Sequence, residues 1–104
     1  MEIRIIKKGD ELYARCAGEL DQHSAVTVRE RLDDALDRGG IRRLVFDLSG
    51  VTFMDSSGIG VILGRYKKLA SHGGSICVIN AQKGVERVLR MSGVYKLCTE
   101  RRSV

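Results

Sequence analysis

The sequence contains no proline and no tryptophan, and aromatic residues make up only 5% of its 104 positions. Without proline, chain reversals fall to Asn, Asp and the 12 glycines, and no X–Pro isomerisation step enters folding. Without aromatics in number there is no stacking platform for single-stranded nucleic acid. No apolar run approaches the roughly 18 residues that a membrane span requires. The opening Met1-Glu2-Ile3-Arg4-Ile5-Ile6-Lys7-Lys8 lacks the basic, apolar and small-residue regions of a signal peptide. The expected address is the cytoplasm, with no membrane contact. Cysteine is scarce too: Cys16, Cys77 and Cys98 are odd in number and far apart, with no His or second Cys beside them. That spacing gives neither a disulfide framework nor a zinc site and predicts three buried thiols on strands. The only histidines, His23 and His72, fall near predicted helix ends, where exposed or capping roles are ordinary.

What remains is an ordinary globular composition, 43% hydrophobic and 30% charged. The length suits one core and is too short for two, so a single domain over residues 1–104 is expected, without a separate lid or cofactor domain. The net charge of +5 is unevenly placed. Residues 1–64 carry nine Lys and Arg against eleven Asp and Glu, whereas residues 65–104 carry nine against two. The basic set is Arg65, Lys67, Lys68, Lys83, Arg87, Arg90, Lys96, Arg101 and Arg102. Its members are interleaved with apolar residues at helical spacing, which predicts a solvated face and no direct nucleic-acid contact.

Along the chain, residues 2–7 and 11–17 read as strands joined at Gly9-Asp10, the second ending at Gly18. A helix follows from near Ser24 to Gly39-Gly40, with Asp21 and Ser24 as cap candidates and Ala25, Val28, Leu32, Ala35 and Leu36 on one stripe. Residues 42–48 form a near-continuous apolar run, expected of a central strand covered on both faces. Ser49-Gly50 then predicts a turn, with Val51-Thr52-Phe53 extended beyond it. A second helix carries Ile59, Ile62, Leu63, Tyr66, Leu69 and Ala70 on its apolar stripe and stops at Gly73-Gly74. Residues 76–79 give another strand, residues 82–91 a third helix closed by Gly93, and residues 95–99 an edge strand. The order is that of an α/β fold, a mixed β-sheet of four to five strands covered by three helices.

The chemistry concentrates in Phe53-Met54-Asp55-Ser56-Ser57-Gly58-Ile59-Gly60, where a buried strand passes into a helix. The first turn of a helix presents unpaired N–H groups and the positive end of a dipole. The segment therefore suits an anion, either bound there or created by phosphorylating a serine. Read plainly, Asp55 and the serines are N-cap residues. The surrounding glycines point further, because glycine inside a helix costs about 1 kcal/mol relative to alanine and marks close approach by another body. Enzyme motifs do not fit: Gly58, Gly60 and Gly64 have neither P-loop nor dinucleotide spacing, and Met54 stands where a serine hydrolase elbow needs glycine.

The Asp55-Ser56-Ser57-Gly58-Ile59-Gly60 run, the Gly18-Glu19-Leu20-Asp21 segment before the first helix and Met91-Ser92-Gly93-Val94 after the third resemble the STAS-domain anti-sigma factor antagonists. The resemblance extends over nearly the whole chain. It implies a non-catalytic regulator without a cofactor. Its unphosphorylated form binds an anti-sigma factor with serine kinase activity, releasing the sigma factor, and a serine phosphatase resets it. It implies phosphorylation at Ser56 and a partner-facing set of Asp21, Ser24, Asp55, Ser57, Gly58 and Ile59, with Asp21 lying beside Ser56. The family also continues into a C-terminal helix where this sequence stops at Val104, which implies a core face left more exposed or covered by a second copy. Two alternatives stay open: a docking module of a stressosome or transporter assembly, and a nucleotide- or nucleic-acid-binding module.

Overall fold

The computed structural model describes residues 1–100. Strands β1 (Glu2–Lys8) and β2 (Glu11–Leu20) form a hairpin around Gly9, whose φ of +61° suits glycine. Helix α1 (Gln22–Asp37) leads to β3 (Arg43–Met54), α2 (Ser56–Ala70) to β4 (Ser75–Ile79), and α3 (Lys83–Ser92) to a short 3₁₀ turn and β5 (Thr99–Glu100). The sheet order is β1-β2-β3-β4-β5, antiparallel at the first pair and parallel at the rest. This is the mixed, helix-covered α/β sheet that the alternation predicts. Successive parallel neighbours joined by helices keep every crossover on one side of the sheet.

The core has that one-sided form. Val28 and Leu32 of α1, Ile62 and Leu69 of α2, and Val85 and Leu89 of α3 all join one cluster with Leu12, Leu44, Phe46, Ile76 and Val78. On the opposite face, Val45, Cys77 and Ile79 pack with Tyr13, and no residue of the described helices joins them. The three cysteines are buried, as expected, but only Cys16 and Cys77 lie on strands; Cys98 falls in the bend between the 3₁₀ turn and β5. Burial pushes the Cys16 and Cys98 thiols up to about 11, which leaves them poor nucleophiles.

Several local expectations need correction. Strand β2 does not end at Gly18 but runs to Leu20, and Ser49-Gly50 does not turn the chain but lies inside an unbroken β3. The register explains both. Arg15 pairs with Asp47 and Ala17 with Gly50, then Gly18 with Val51 and Glu19 with Phe53, so β3 carries an extra residue at each of two bulges. A Cβ on Gly50 would lie 2.8 Å from Ala17 Cβ, so the close approach at the first bulge requires glycine. The buried Asp47 carboxylate organises this bend, accepting hydrogen bonds from Tyr13 Oη, the Ser49 amide at 3.0 Å and Asn80 Nδ2 at 3.4 Å. Burial pushes the Asp47 carboxyl up, but these donors outweigh it and hold it below its ordinary value.

Helix α1 starts at Gln22, two residues before Ser24, and ends at Asp37, ahead of Gly39-Gly40. The expected edge strand over residues 95–99 is reduced to Thr99–Glu100: residues 95–96 belong to the 3₁₀ turn Val94–Lys96 and 97–98 to the bend after it, because Gly93 closes α3 in the left-handed conformation and turns the chain back at once. The expected basic face also loses a member. Arg65 is buried, and its Nε lies 3.0 Å from Asp33 Oδ1 on α1. Beside it, Lys68 Nζ sits 2.7 Å from Asp37 and 3.4 Å from Asp33, so these two cations pin α2 to α1. Arg101 and Arg102 lie outside the described residues.

Candidate functional site

The pairing of Leu20 with Met54 brings the last residues of β2 and β3 side by side, and each strand passes directly into a helix. The two N-caps, Asp21 and Asp55, are therefore neighbours on the same sheet edge. This register places Asp21 at the end of the molecule where Ser56 begins α2.

The caps differ in construction. Asp21 Oδ1 accepts the Ser24 amide at 2.9 Å while Ser24 Oγ accepts the Asp21 amide at 3.1 Å, a reciprocal capping box. Ser24 Oγ also donates to the Glu19 carbonyl at 2.7 Å. The Ser24 amide above all, with the Ser24 hydroxyl and the His23 amide, holds the Asp21 carboxyl below its ordinary value of 3.8. At the second cap, Asp55 Oδ1 accepts the Ser57 amide at 2.8 Å, without a return bond. The Asp55 carbonyl accepts from the Gly58 and Ile59 amides at 3.1 and 3.3 Å, which closes the first turn of α2.

Ser56 occupies the first position of α2 and is exposed; Ser57 is half-buried. Neither hydroxyl makes a hydrogen bond among the described residues. Gly58 and Ile59 point inward: Gly58 is buried where a Cβ would sit 2.6 Å from Met54 Cγ and 3.1 Å from Leu20 Cγ, and Ile59 belongs to the core. Of the expected partner-facing set, Asp21, Asp55 and Ser57 are half-buried around the exposed Ser56. Ser24 is committed to the capping box, and Gly58 and Ile59 form the floor beneath the turn.

Beyond the partner-facing set that the resemblance implies, other residues at this end are exposed. Phe53 is 45% exposed and Val26 44%, unusual for large apolar side chains. Between α1 and α2, a shallow groove of about 390 Å³ is lined by Gln22, Val26, Arg29, Ser57 and Gly60. The signal for Val26 was present in the pattern, since it lies off the stripe Ala25–Val28–Leu32 and must face outward. No group of three His, Cys, Asp or Glu side chains suited to a metal ion occurs among the described residues. No described helix is long and apolar enough to cross a membrane.

The STAS domain model matches residues 2–104, and the chain belongs to that family. Among its relatives is the anti-sigma F factor antagonist of Paenibacillus polymyxa, 44% identical over 86 residues that cover 83% of this chain and 74% of the relative. Among solved structures, the anti-sigma factor antagonist SpoIIAA in its unphosphorylated form superimposes with a TM-score of 0.88 at 25% identity, covering 99% of this chain and 89% of that one. The Bacillus cell fate determinant SpoIIAA in its phosphorylated form shares the fold with a TM-score of 0.79 at 24% identity, over 99% of this chain and 92% of that one.

Proposed function

We propose that this chain is an anti-sigma factor antagonist, a cytoplasmic, non-catalytic partner switch controlled by phosphorylation of Ser56. Unphosphorylated, it binds an anti-sigma factor that is also a serine kinase and so frees the sigma factor for transcription. The observation that carries this reading is the Ser56 hydroxyl, exposed and unbonded at the first position of α2 beside the second capped helix. In the transfer, Ser56 Oγ forms a bond to the γ-phosphorus of ATP held by the partner, the bond to ADP breaks, and a base of the kinase takes the hydroxyl proton. A serine phosphatase later hydrolyses the ester.

The product explains release. A phosphoserine brings about −1.5 to −2 charges to a site that already holds Asp21 and Asp55. In the free protein the N-terminus of α2 and water offset that charge. In a close-packed interface the same charge loses water and meets two carboxylates, so the complex is weakened without refolding.

Intact mass and phosphopeptide mapping after incubation with the cognate kinase and ATP test the assignment, with a single phosphate at Ser56 expected. Ser56→Ala binds the anti-sigma factor and resists release by ATP, whereas Ser56→Asp binds at least about tenfold more weakly. Release of Ser56→Ala by ATP at the wild-type rate sinks the assignment.

A further inference from the structure

Away from the Ser56 end, α3 has a second surface that the switch does not use. Val85 and Leu89 of α3 are buried against the sheet, so its apolar face is already occupied by the core. Its other side presents Lys83, Arg87, Arg90 and Met91, at i, i+4, i+7 and i+8, within an arc of about 100°. Met91 is 82% exposed, more than any other large apolar side chain among the described residues. Arg90 pairs with Glu86 at 2.6 Å and lies 5.6 Å above the Tyr95 ring, tying the following 3₁₀ turn to the helix and holding Lys96 and the 48% exposed Leu97 beside it. Lys83, Arg87 and Lys96 have no carboxylate partner among the described residues, in contrast to Arg65 and Lys68, which are paired across the α1–α2 seam.

We propose that this α3 ridge is a second docking surface, independent of Ser56, for an acidic protein segment that carries an apolar anchor. Three unpaired cations attract and orient carboxylates. Met91 between them offers an unbranched, adaptable contact whose burial a partner completes. A membrane surface fits less well, because the apolar side of α3 is committed to the core and only Met91 and Leu97 remain to enter lipid. Nucleic acid fits less well because Tyr95 lies half-buried under Arg90, leaving no open ring on which a base could stack.

The test is an NMR titration of the ¹⁵N-labelled full chain with a short poly-glutamate peptide bearing a central Leu-Leu pair. Parallel titrations use mixed phosphatidylglycerol–phosphatidylcholine vesicles and a short DNA duplex. Saturable shifts confined to Lys83, Arg87, Met91, Lys96 and Leu97 are expected with the peptide. Lys83→Glu with Arg87→Glu, and separately Met91→Ser, each weaken binding about tenfold. The milder Lys83→Gln with Arg87→Gln weakens it less, and far-UV circular dichroism checks the fold of every variant. Ser56→Asp binds the peptide as the wild type does, so failure of the phosphorylation reading and failure of this one are separate results. Absent or scattered shifts overturn the proposal, as does equal or tighter binding of vesicles or DNA at the same residues.

Discussion

Helices α1 and α2 begin side by side with the same cap residue, Asp21 in one and Asp55 in the other, yet their first turns diverge at each following position. At the third helical position α1 has Ser24, which closes a capping box, and α2 has Gly58, which has no side chain to close one. At the first position α1 has Gln22 and α2 has the unbonded Ser56. The absent side chain at Gly58 is a demand of packing, since Met54 and Leu20 fill the space that a Cβ would need. The first turn of α2 thus lies close on the core while leaving its hydroxyls free. A helix start can be firmly seated and chemically open together when the core beneath, rather than a side chain above, holds it.

The largest expected effect comes from forcing α2 to resemble α1. Gly58→Ser supplies the residue type of a capping box but places a Cβ 2.6 Å from Met54 Cγ. Overpacking of about 1–3 kcal/mol exceeds the roughly 1 kcal/mol gained by removing a helical glycine. Urea denaturation should show net destabilisation; a variant as stable as wild type would mean that Met54 and Leu20 yield, and the contrast between the two starts would be one of sequence only. The reverse change, Ser24→Ala, opens the box of α1 and should cost about 1 kcal/mol. Partner binding should be little affected by that change, since the Ser24 hydroxyl is spent on Glu19 and Asp21.

The pH dependence of the closed cap sharpens the contrast. The Asp21 carboxyl is held below 3.8 in the folded protein, so its charge contributes stability above that value, and the contribution is lost as pH falls through the lower folded value. Asp21→Asn keeps a capping oxygen and removes the charge. The difference in urea midpoint between wild type and Asp21→Asn should be constant near neutrality and close below about pH 4. A difference unchanged down to pH 2.5 would show that the charge is not what the Ser24 amide stabilises.

Much of this arrangement was legible in the sequence, and the misreadings share a cause. The β/α alternation, both aspartate caps and the buried cysteines follow from local pattern, because periodicity and capping chemistry act within a few residues. Ser49-Gly50 looks like a turn because bulges and turns use the same residues; only the partner strand, with Ala17 against Gly50, decides between them. A local reading puts Arg65 among the solvated charges, although it falls three residues after Ile62 and four before Leu69, on the buried stripe. Its acceptor, Asp33, belongs to another helix and is invisible to a local reading. Ser24, Gly58 and Ile59 entered the partner-facing set through the family resemblance and not through a local pattern; tertiary packing seats Ser24 in the capping box and Gly58 and Ile59 against the core.

The smallest expected effect separates seating from recognition. Gly60 stands five residues after Asp55, as Val26 stands five after Asp21, and the two face one groove between the helices. Unlike Gly58, Gly60 has nothing within 4 Å of where a Cβ would be, so the fold itself does not require glycine there. Gly60→Ala should therefore stabilise the free protein by about 0.5–1 kcal/mol, seen as a raised urea midpoint at unchanged slope. If the anti-sigma factor approaches across this groove, the added methyl intrudes on the contact, and affinity should fall while stability rises. Opposite signs in the two measurements would mark Gly60 as a residue kept small for the partner. A gain in stability with unchanged affinity would confine the partner's footprint to the Asp21–Asp55–Ser56 edge, and the open first turn of α2 would then account for recognition without the groove.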